Sequence, residues 1–208
     1  PEKWVAAGAA GKLTGAKFGS YASLFGEARW RKPALLGMLL CVSGVIGLWG
    51  IGFFSPELVS DVVSRTLKAK GEPADQIAQA KTVWSGWNMV LQNLGAFFGM
   101  VAFTKAAQRY GRKPTFAVAY LCAFVATIGY FQFFNSTSDI WMSFIMGFCQ
   151  LALFAGFAIY LPELFPTRLR STGTSFCYNV GRFLAASGPL TLGQLQNALA
   201  AGATTAEA

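Results

Sequence analysis

Long stretches without a charged side chain dominate the pattern along this chain. Four of them are apolar windows of 23 to 25 residues, and a fifth, from about Thr172 to Gln196, holds a single charge, Arg182. A helix rises about 1.5 Å per residue and must cross about 30 Å of hydrocarbon, so about 20 apolar residues are enough. The pattern therefore predicts an all-α, polytopic membrane helix bundle with five transmembrane helices.

The windows also predict where the helices lie. We expect a transmembrane bundle over residues 33–197, with spans at about 33–57, 82–104, 114–134, 140–161 and 172–196. Pro33 suits the start of the first span, where its missing N–H costs nothing. We expect residues 1–32 to form a cytoplasmic linker with a short surface helix around Gly19–Ala28. We expect residues 198–208 to form a shortened external loop. Gly95 and Gly99 have the GxxxG spacing of close helix contacts.

Composition excludes several classes of protein. Only 12% of the residues are charged and 54% are hydrophobic, which argues against a soluble enzyme. The chain has no histidine, the commonest general base and metal ligand, and no carboxylate within the predicted spans apart from Glu57 at the very end of the first. We therefore expect no enzymatic activity, no catalytic residue, no cofactor and no metal site. The four cysteines lie in predicted spans without close spacing, which favours buried, unpaired thiols.

The net charge of +8 follows the predicted topology. Six Lys and Arg precede the first span, four lie between spans two and three, and two lie between spans four and five. The alternate side has four, balanced by Glu57, Asp61, Glu72 and Asp75. The positive-inside rule then predicts a cytoplasmic N-terminus. We expect the membrane to be a plasma membrane, the inner membrane of a bacterium. Because topology explains the basicity, we expect lipid and no nucleic acid as a partner.

Polar side chains inside the spans indicate candidate functional positions, since lipid cannot hydrogen-bond them. In span two, Trp84, Asn88 and Gln92 recur at i, i+4 and i+8 and share one side of the helix. Two interpretations stay open: hydrogen bonds between helices that only stabilise the bundle, or a stripe lining a substrate cavity. The same two interpretations, a structural role or a place in a substrate cavity, stay open for Gln150 in span four and Trp49 in span one.

Span five carries Asn179 and Arg182 on one face. Arg182 lies 12 residues beyond Arg170, about 18 Å along a helix, which places it inside the bilayer. A charge there is costly unless it is paired or hydrated, so the position is a functional candidate. The alternative is structural pairing with Glu163 or with carbonyls at a helix end.

The connections after spans two and four carry complementary charges. The first has Arg109, Gly111, Arg112 and Lys113, and the second has Glu163, Arg168 and Arg170. Glu163 is the natural partner for Arg112 or Arg109. Ion pairs between helix ends on the cytoplasmic side can close one face of a transporter, so these seven residues are a candidate gate.

At these connections the chain resembles the major facilitator superfamily, near its sugar-porter and metabolite:proton symporter branches. Arg109-x-Gly111-Arg112-Lys113 is similar to the family pattern D-R-x-G-R-R/K, with Gln108 in place of the acidic residue. Glu163-x-Phe165-Pro166-x-x-x-Arg170-x-x-Gly173 is similar to P-E-x-F-P-x-x-x-R-x-x-G. The resemblance implies helices seven to eleven of a twelve-helix fold, so the chain is expected to be part of the C-terminal half, with the N-terminal half of the same transporter as its partner.

The residues and the resemblance together predict secondary active transport of a small polar solute, ion-coupled and by alternating access. An organic anion is favoured over a neutral sugar because Arg182 is the only cation in a predicted span. The expected substrate-binding residues are Trp49, Trp84, Asn88, Gln92, Gln150, Asn179 and Arg182. The alternative is a half-size or non-transporting membrane receptor or assembly subunit.

Overall fold

A computed structural model describes residues 19–187, and this part of the chain consists of helices and short connections, without a strand. The predicted all-α bundle is confirmed. The predicted linker up to residue 18, the end of span five and the external loop at 198–208 lie outside the described residues. The α-helices are α1 (Tyr21–Gly26), α2 (Ala28–Val45), α3 (Ser55–Ala69), α4 (Ala74–Tyr110), α5 (Arg112–Phe133), α6 (Met142–Leu164) and α7 (Arg170–Ala186).

Three helical segments of the described chain are long and apolar enough to cross a membrane, judged by length and composition: Ala28–Trp49, Arg112–Phe133 and Thr137–Leu164. They correspond to predicted spans one, three and four. Helix α4 has 37 residues, but Asn88, Gln92 and Asn93 lower its mean hydropathy, and α7 is described over only 17 residues. The division into five spans stays a prediction.

The first predicted span differs from the structure at both ends. Helix α2 begins at Ala28, because Glu27 before it is extended (φ −88°, ψ 113°), so Pro33 lies inside the helix and not at its start. After Val45 the backbone widens into a π-helical turn, Ile46–Ile51, followed by a 3-10 turn, Gly52–Phe54. Several glycines in this stretch weaken regular helix, which explains why the span is not one straight element.

Helix α3 occupies a stretch that the charge pattern predicted as a loop. Pro56 fits its first turn, and Val59, Val62 and Val63 form a buried stripe at i, i+3 and i+4. The stripe packs against side chains at one end of α4, α5 and α6, among them Trp84, Tyr130, Phe134 and Met146. Helix α3 therefore covers that end of the bundle, which is called the α3 end below.

Glycines bring α4 and α6 into backbone contact. A Cβ atom on Gly95 would meet the carbonyl oxygen of Phe144, one on Gly99 that of Phe148, and one on Gly147 that of Gln92. Any larger residue at these positions would force the helices apart. Gly99 and Phe148 each lie four residues beyond Gly95 and Phe144, so α4 and α6 run in the same direction. The close contact predicted from the GxxxG spacing is confirmed.

Helices α2 and α7 pack side by side through Ala34, Cys41 and Cys177, all fully buried. The Cys177 thiol donates to the carbonyl oxygen of Ala34 at 3.4 Å. All four cysteines are unpaired, as predicted, but only Cys41 and Cys177 are buried, whereas Cys149 is half-buried and Cys122 is exposed on an outer face of α5.

Helix α1 is docked on the connection between α6 and α7. The Gly19 N–H donates to the Arg168 carbonyl at 3.0 Å, and the Thr172 hydroxyl donates to the Gly19 carbonyl at 2.7 Å. Leu24 of α1 and Leu169 of the connection are both completely buried. The short helix expected around Gly19–Ala28 is confirmed. This end of the bundle, which also holds the α4–α5 turn, is called the α1 end below.

Candidate functional site

The turn between α4 and α5 at the α1 end is a single residue, Gly111. Its backbone has φ +89° and ψ 166°, a conformation that favours glycine. The turn directs Arg112 toward the end of α6, where its guanidinium meets the Glu163 carboxylate through two hydrogen bonds. Nε lies 3.1 Å from Oε2, and Nη2 lies 2.5 Å from Oε1. The predicted pairing of Glu163 with Arg112 is confirmed.

Arginines also bind carbonyl oxygens at the C-terminal ends of two helices. Arg112 Nη1 donates to the carbonyl of Ala107 at 3.5 Å, and Arg170 Nε donates to that of Pro162 at 2.9 Å. The last carbonyls of a helix have no partner within the helix and carry partial negative charge, so cations there are favourable. Arg112 and Arg170 thus connect the ends of α4, α5, α6 and α7.

A second ion pair at the α1 end joins Arg168 to Glu27, with Nη2 2.5 Å from Oε1. The Trp30 indole N–H donates to the same carboxylate at 2.9 Å. The guanidinium of Arg168 lowers the pKa of the Glu27 carboxyl below its ordinary value, chiefly through its hydrogen bond. The sequence indicated Arg168 but not its partner, which stands 141 residues earlier.

Two of the predicted gate residues remain apart from these pairs. The Arg109 guanidinium lies 5.6 Å from the centre of its neighbour's ring, Tyr110, and Lys113 is exposed at the start of α5. Within residues 19–187 the ion pairs are Arg112–Glu163 and Arg168–Glu27. The structure therefore brings Glu163 to Arg112 and not to Arg109.

At the α3 end, neutral side chains from four helices form a buried hydrogen-bond network. Its members are Ser55, Asn88, Gln92, Tyr130 and Ser143. Asn88 Nδ2 and Gln92 Nε2 both donate to Ser55 Oγ, at 3.3 and 2.7 Å. The Tyr130 hydroxyl donates to Asn88 Oδ1 at 3.1 Å and lies 3.4 Å from Ser143 Oγ. Asn88 is completely buried. The network satisfies both ends of its amide, as an interhelical structural role requires.

The structure places the rest of the span-two stripe around this network. Trp84 is half-buried against the apolar cluster below α3, and Gln92 is half-buried beside Ser55. Asn93 is exposed and donates to the carbonyl of Met89 on its own helix at 2.8 Å. Sequence reasoning missed Ser55, Tyr130 and Ser143. A tyrosine inside a membrane helix needs a partner for its hydroxyl, and this would have been the indication for Tyr130.

Gln150 lies at a second polar position, between α5 and α6. Its Nε2 donates to Thr127 Oγ1 at 2.8 Å, and its side chain is 6% exposed. It lines a cavity of about 270 Å³ together with Gly44, Gly47, Tyr120 and Thr127. The Tyr120 hydroxyl donates to the carbonyl of Leu40 at 2.6 Å, which links α5 to α2. Trp49 lies in the π-helical turn and is 44% exposed.

One face of α7 is polar and exposed. Ser171, Ser175, Asn179 and Arg182 follow one another at i, i+4, i+8 and i+11. Asn179 Nδ2 donates to Ser175 Oγ at 3.3 Å, and the Arg182 guanidinium lies 5.8 Å from the centre of the Tyr178 ring. Arg182 therefore packs on an aromatic ring of its own helix. The alternative interpretation, a structural pairing of Arg182 with Glu163, is not seen, because Glu163 binds Arg112.

The predicted site residues thus occupy separate places. No hydrogen bond within the described part of the chain joins Gln150 or Arg182 to the Asn88 network. Asn88 and Gln92 share one network, Gln150 lines the cavity beside α5, and Asn179 and Arg182 lie on the exposed face of α7.

Comparison with known proteins adds the family. The family described as "Sugar (and other) transporter" matches residues 36–149, which is more than half of the chain. The chain belongs to this family of major facilitator superfamily transporters. With helices apolar enough to cross a membrane, this family member is an integral membrane protein.

Individual relatives match segments of different lengths. A "Probable 4-methylmuconolactone transporter" from Cupriavidus pinatubonensis is 34% identical over 102 residues, which is 49% of this chain and 24% of the relative. A "Cis,cis-muconate transport protein" from Acinetobacter baylyi is 36% identical over 92 residues, 43% of this chain and 22% of the relative. A "Putative metabolite transport protein" from Haemophilus influenzae is 24% identical over 149 residues, 72% of this chain. The match spans 33% of that relative's own length. No solved structure matches the chain significantly.

Proposed function

We propose that the chain is the larger part of one half of a secondary active transporter, which moves a small organic anion by alternating access. In this proposal it works with the N-terminal half of the same transporter and catalyses no chemical reaction. The observation that carries the proposal is the exposed polar face of α7, at Ser171, Ser175, Asn179 and Arg182.

This face is unsuited to lipid. Arg182 lies about 18 Å along the helix from Arg170, and hydrocarbon offers no hydrogen bonds to a guanidinium or an amide. A charged residue at such a depth faces a water-filled cavity or other parts of the protein. Since Glu163 is engaged by Arg112, Arg182 is left available for a ligand. We infer that α7 lines the transport path.

The proposed substrate class is a carboxylate. A guanidinium binds a carboxylate through paired hydrogen bonds, and Arg182 is the only cation within the predicted spans. The names of two relatives point the same way, since muconate is a dicarboxylate and methylmuconolactone is derived from such an acid. We propose that Gln92, Gln150 and Asn179 hydrogen-bond the solute. Asn88 would position Gln92 through their shared partner Ser55, and Trp49 and Trp84 would shape the cavity.

The α1 end is the proposed gate. Its members are Arg109, Gly111, Arg112, Lys113, Glu163, Arg168 and Arg170. Arg112 pairs with Glu163 on another helix, and Arg168 pairs with Glu27 before α2. Breaking such pairs would alter the equilibrium between the two open states of a transporter. We further propose that this end faces the cytoplasm of a bacterial cell across the inner membrane, and that transport is coupled to an ion.

Uptake by the full-length transporter in proteoliposomes tests the proposal. We expect uptake of cis,cis-muconate but not of glucose, stimulation by an imposed proton gradient, and loss of most uptake in Arg182→Gln. Arg182→Lys should retain part of it, because the charge remains. Arg65→Gln is the matched control, an exposed arginine on α3 outside the proposed path, and should transport normally.

Three outcomes count against the proposal. Equal loss in Arg65→Gln would mean that general charge matters, and normal uptake in Arg182→Gln would remove Arg182 from the path. Saturable binding of muconate without any uptake would favour the alternative, a membrane receptor.

A further inference from the structure

A long groove runs along the outside of the bundle between α4 and α5, with α6 as its floor. It has a volume of about 440 Å³, within the range of about 300–1,000 Å³ usual for small-molecule sites. It exists because the glycines of α4 hold that helix on α6 while α5 packs on another side of α6. Helices α4 and α5 therefore contact each other much less than each contacts α6.

The groove is lined almost wholly by hydrocarbon. Ala102 and Ala106 of α4 face Val118 of α5 across it, above Cys149. The hydroxyl of Thr115, which also lines it, already donates to the backbone carbonyl of Gly111 at 2.7 Å. Val118 and its neighbour Leu121 are 60% and 63% exposed, on a helix apolar enough to cross a membrane. The groove therefore suits an acyl chain and not a polar solute.

Positive charge lies at one end of the groove, the α1 end. Three cations, Lys105, Arg109 and Lys113, directly precede lining residues in the sequence, namely Ala106, Tyr110 and Pro114. The Arg109 guanidinium lies over the ring of Tyr110, which is itself 67% exposed. The carboxylates paired in the described chain, Glu27 and Glu163, are bound to other arginines, and residues 76–138 hold no acidic side chain. Within residues 19–187, none of these three cations forms an ion pair with a carboxylate.

We propose that this groove binds an anionic glycerophospholipid. One acyl chain lies along Ala102, Ala106 and Val118, and the phosphate binds Lys105 and Arg109 at the α1 end. Basic residues beside clefts between membrane helices are a known form of recognition for anionic headgroups, and here an apolar groove and unpaired cations adjoin each other. The inference is independent of which solute the protein transports.

Native mass spectrometry of the purified full-length transporter, exchanged with phosphatidylglycerol or phosphatidylcholine, tests this site. We expect preferential retention of phosphatidylglycerol, and roughly a tenfold loss of that preference in the double variant Lys105→Gln/Arg109→Gln. The matched control is Arg65→Gln/Lys68→Gln, which removes two exposed cations from α3, far along the chain from the groove. It should keep the wild-type preference.

A second pair of variants tests whether the acyl chain occupies the groove. Ala102→Phe fills it and should lower retention of phosphatidylglycerol, whereas Ala117→Phe, also exposed but outside the lining, should not. Soluble glycerol 3-phosphate should not displace the lipid. Equal retention of both lipids, equal effects of the test and control variants, or displacement by glycerol phosphate would each overturn the proposal. Melting temperatures of all variants show whether a loss reflects unfolding.

Discussion

At the α1 end, helix ends are joined by ion pairs whose side chains are 36% to 52% exposed, whereas at the α3 end they are joined by amides and hydroxyls, with Asn88 completely buried. The difference follows from the surroundings. Charged groups can pair where water still solvates their outer sides, but a buried ion pair must first be desolvated. A neutral amide costs less to bury and, once buried, tolerates no missing partner.

The comparison also separates two kinds of contribution to function. Exposed ion pairs stabilise little and are screened by salt, so they can open and close during a transport cycle. A buried network in which each group depends on another is suited to holding helices in a fixed arrangement. We therefore expect the two ends to respond differently to substitution, to salt and to pH.

The largest effect is expected at the α3 end. Asn88→Leu leaves the Tyr130 hydroxyl without its acceptor on α4 and removes one donor from Ser55. Orphaned buried groups cost about 1–3 kcal/mol each, so we expect a loss of about 3 kcal/mol in the free energy of unfolding. The loss is followed by the melting temperature of the full-length transporter in detergent. This temperature should fall equally at low and high salt.

Asn93→Leu is the matched control for that substitution. Asn93 is exposed, and its amide bonds only to the carbonyl of Met89 on its own helix. It should change the melting temperature little. If both leucine variants melt alike, the buried network does not hold the α3 end.

A smaller and salt-dependent effect is expected at the α1 end. Arg112→Gln and Glu163→Gln each remove the ion pair between α5 and α6, and the double variant should be no worse than either single one. We expect a small fall in melting temperature at low salt that disappears at high salt, together with a larger change in uptake rate. Strictly additive losses in the double variant would mean that the two side chains act separately.

The smallest effect is expected from pH at Glu27. The folded pKa of this carboxyl lies below its unfolded value because Arg168 binds the ionised form. The resulting stabilisation of docked α1 is present above the unfolded pKa and is lost as pH falls through the folded pKa. The protection of the Tyr21–Gly26 amides from hydrogen exchange, relative to the intrinsic rate at each pH, should therefore fall in acid, and Glu27→Gln should show low protection at every pH. Glu57→Gln, on α3, should behave as wild type; if Glu27→Gln does so too, the ion pair does not hold α1.

The sequence predicted those features that depend on local pattern. Uncharged windows coincide with helices, the Gly95 and Gly99 spacing marks a backbone contact, and the charges around Gly111 and Glu163 form the expected ion pair. Helix α3 also has a local pattern, its valine stripe, but its many charges obscured it.

The sequence did not predict features that depend on which faces of the helices pack against each other. Tyr130 bonds to Asn88 because one particular side of α5 faces α4, but α5 is apolar nearly all round, so its sequence hardly distinguishes a packed side from a lipid-facing one. Arg168 had many possible acidic and carbonyl partners, and its pairing with Glu27 depends on the docking of α1. For the same reason, the separation of Gln150 from the Asn88 network required the structure.

The backbone contact between α4 and α6 has a consequence for biosynthesis. These helices are neighbours in space, but α5 lies between them along the chain, so α4 enters the membrane before its partner has been synthesised. The shallow surface at Gly95 and Gly99 then has only lipid to fill it until Gly147 arrives. Assembly of this pair therefore comes after insertion of α4 and requires α6 to displace lipid from that surface.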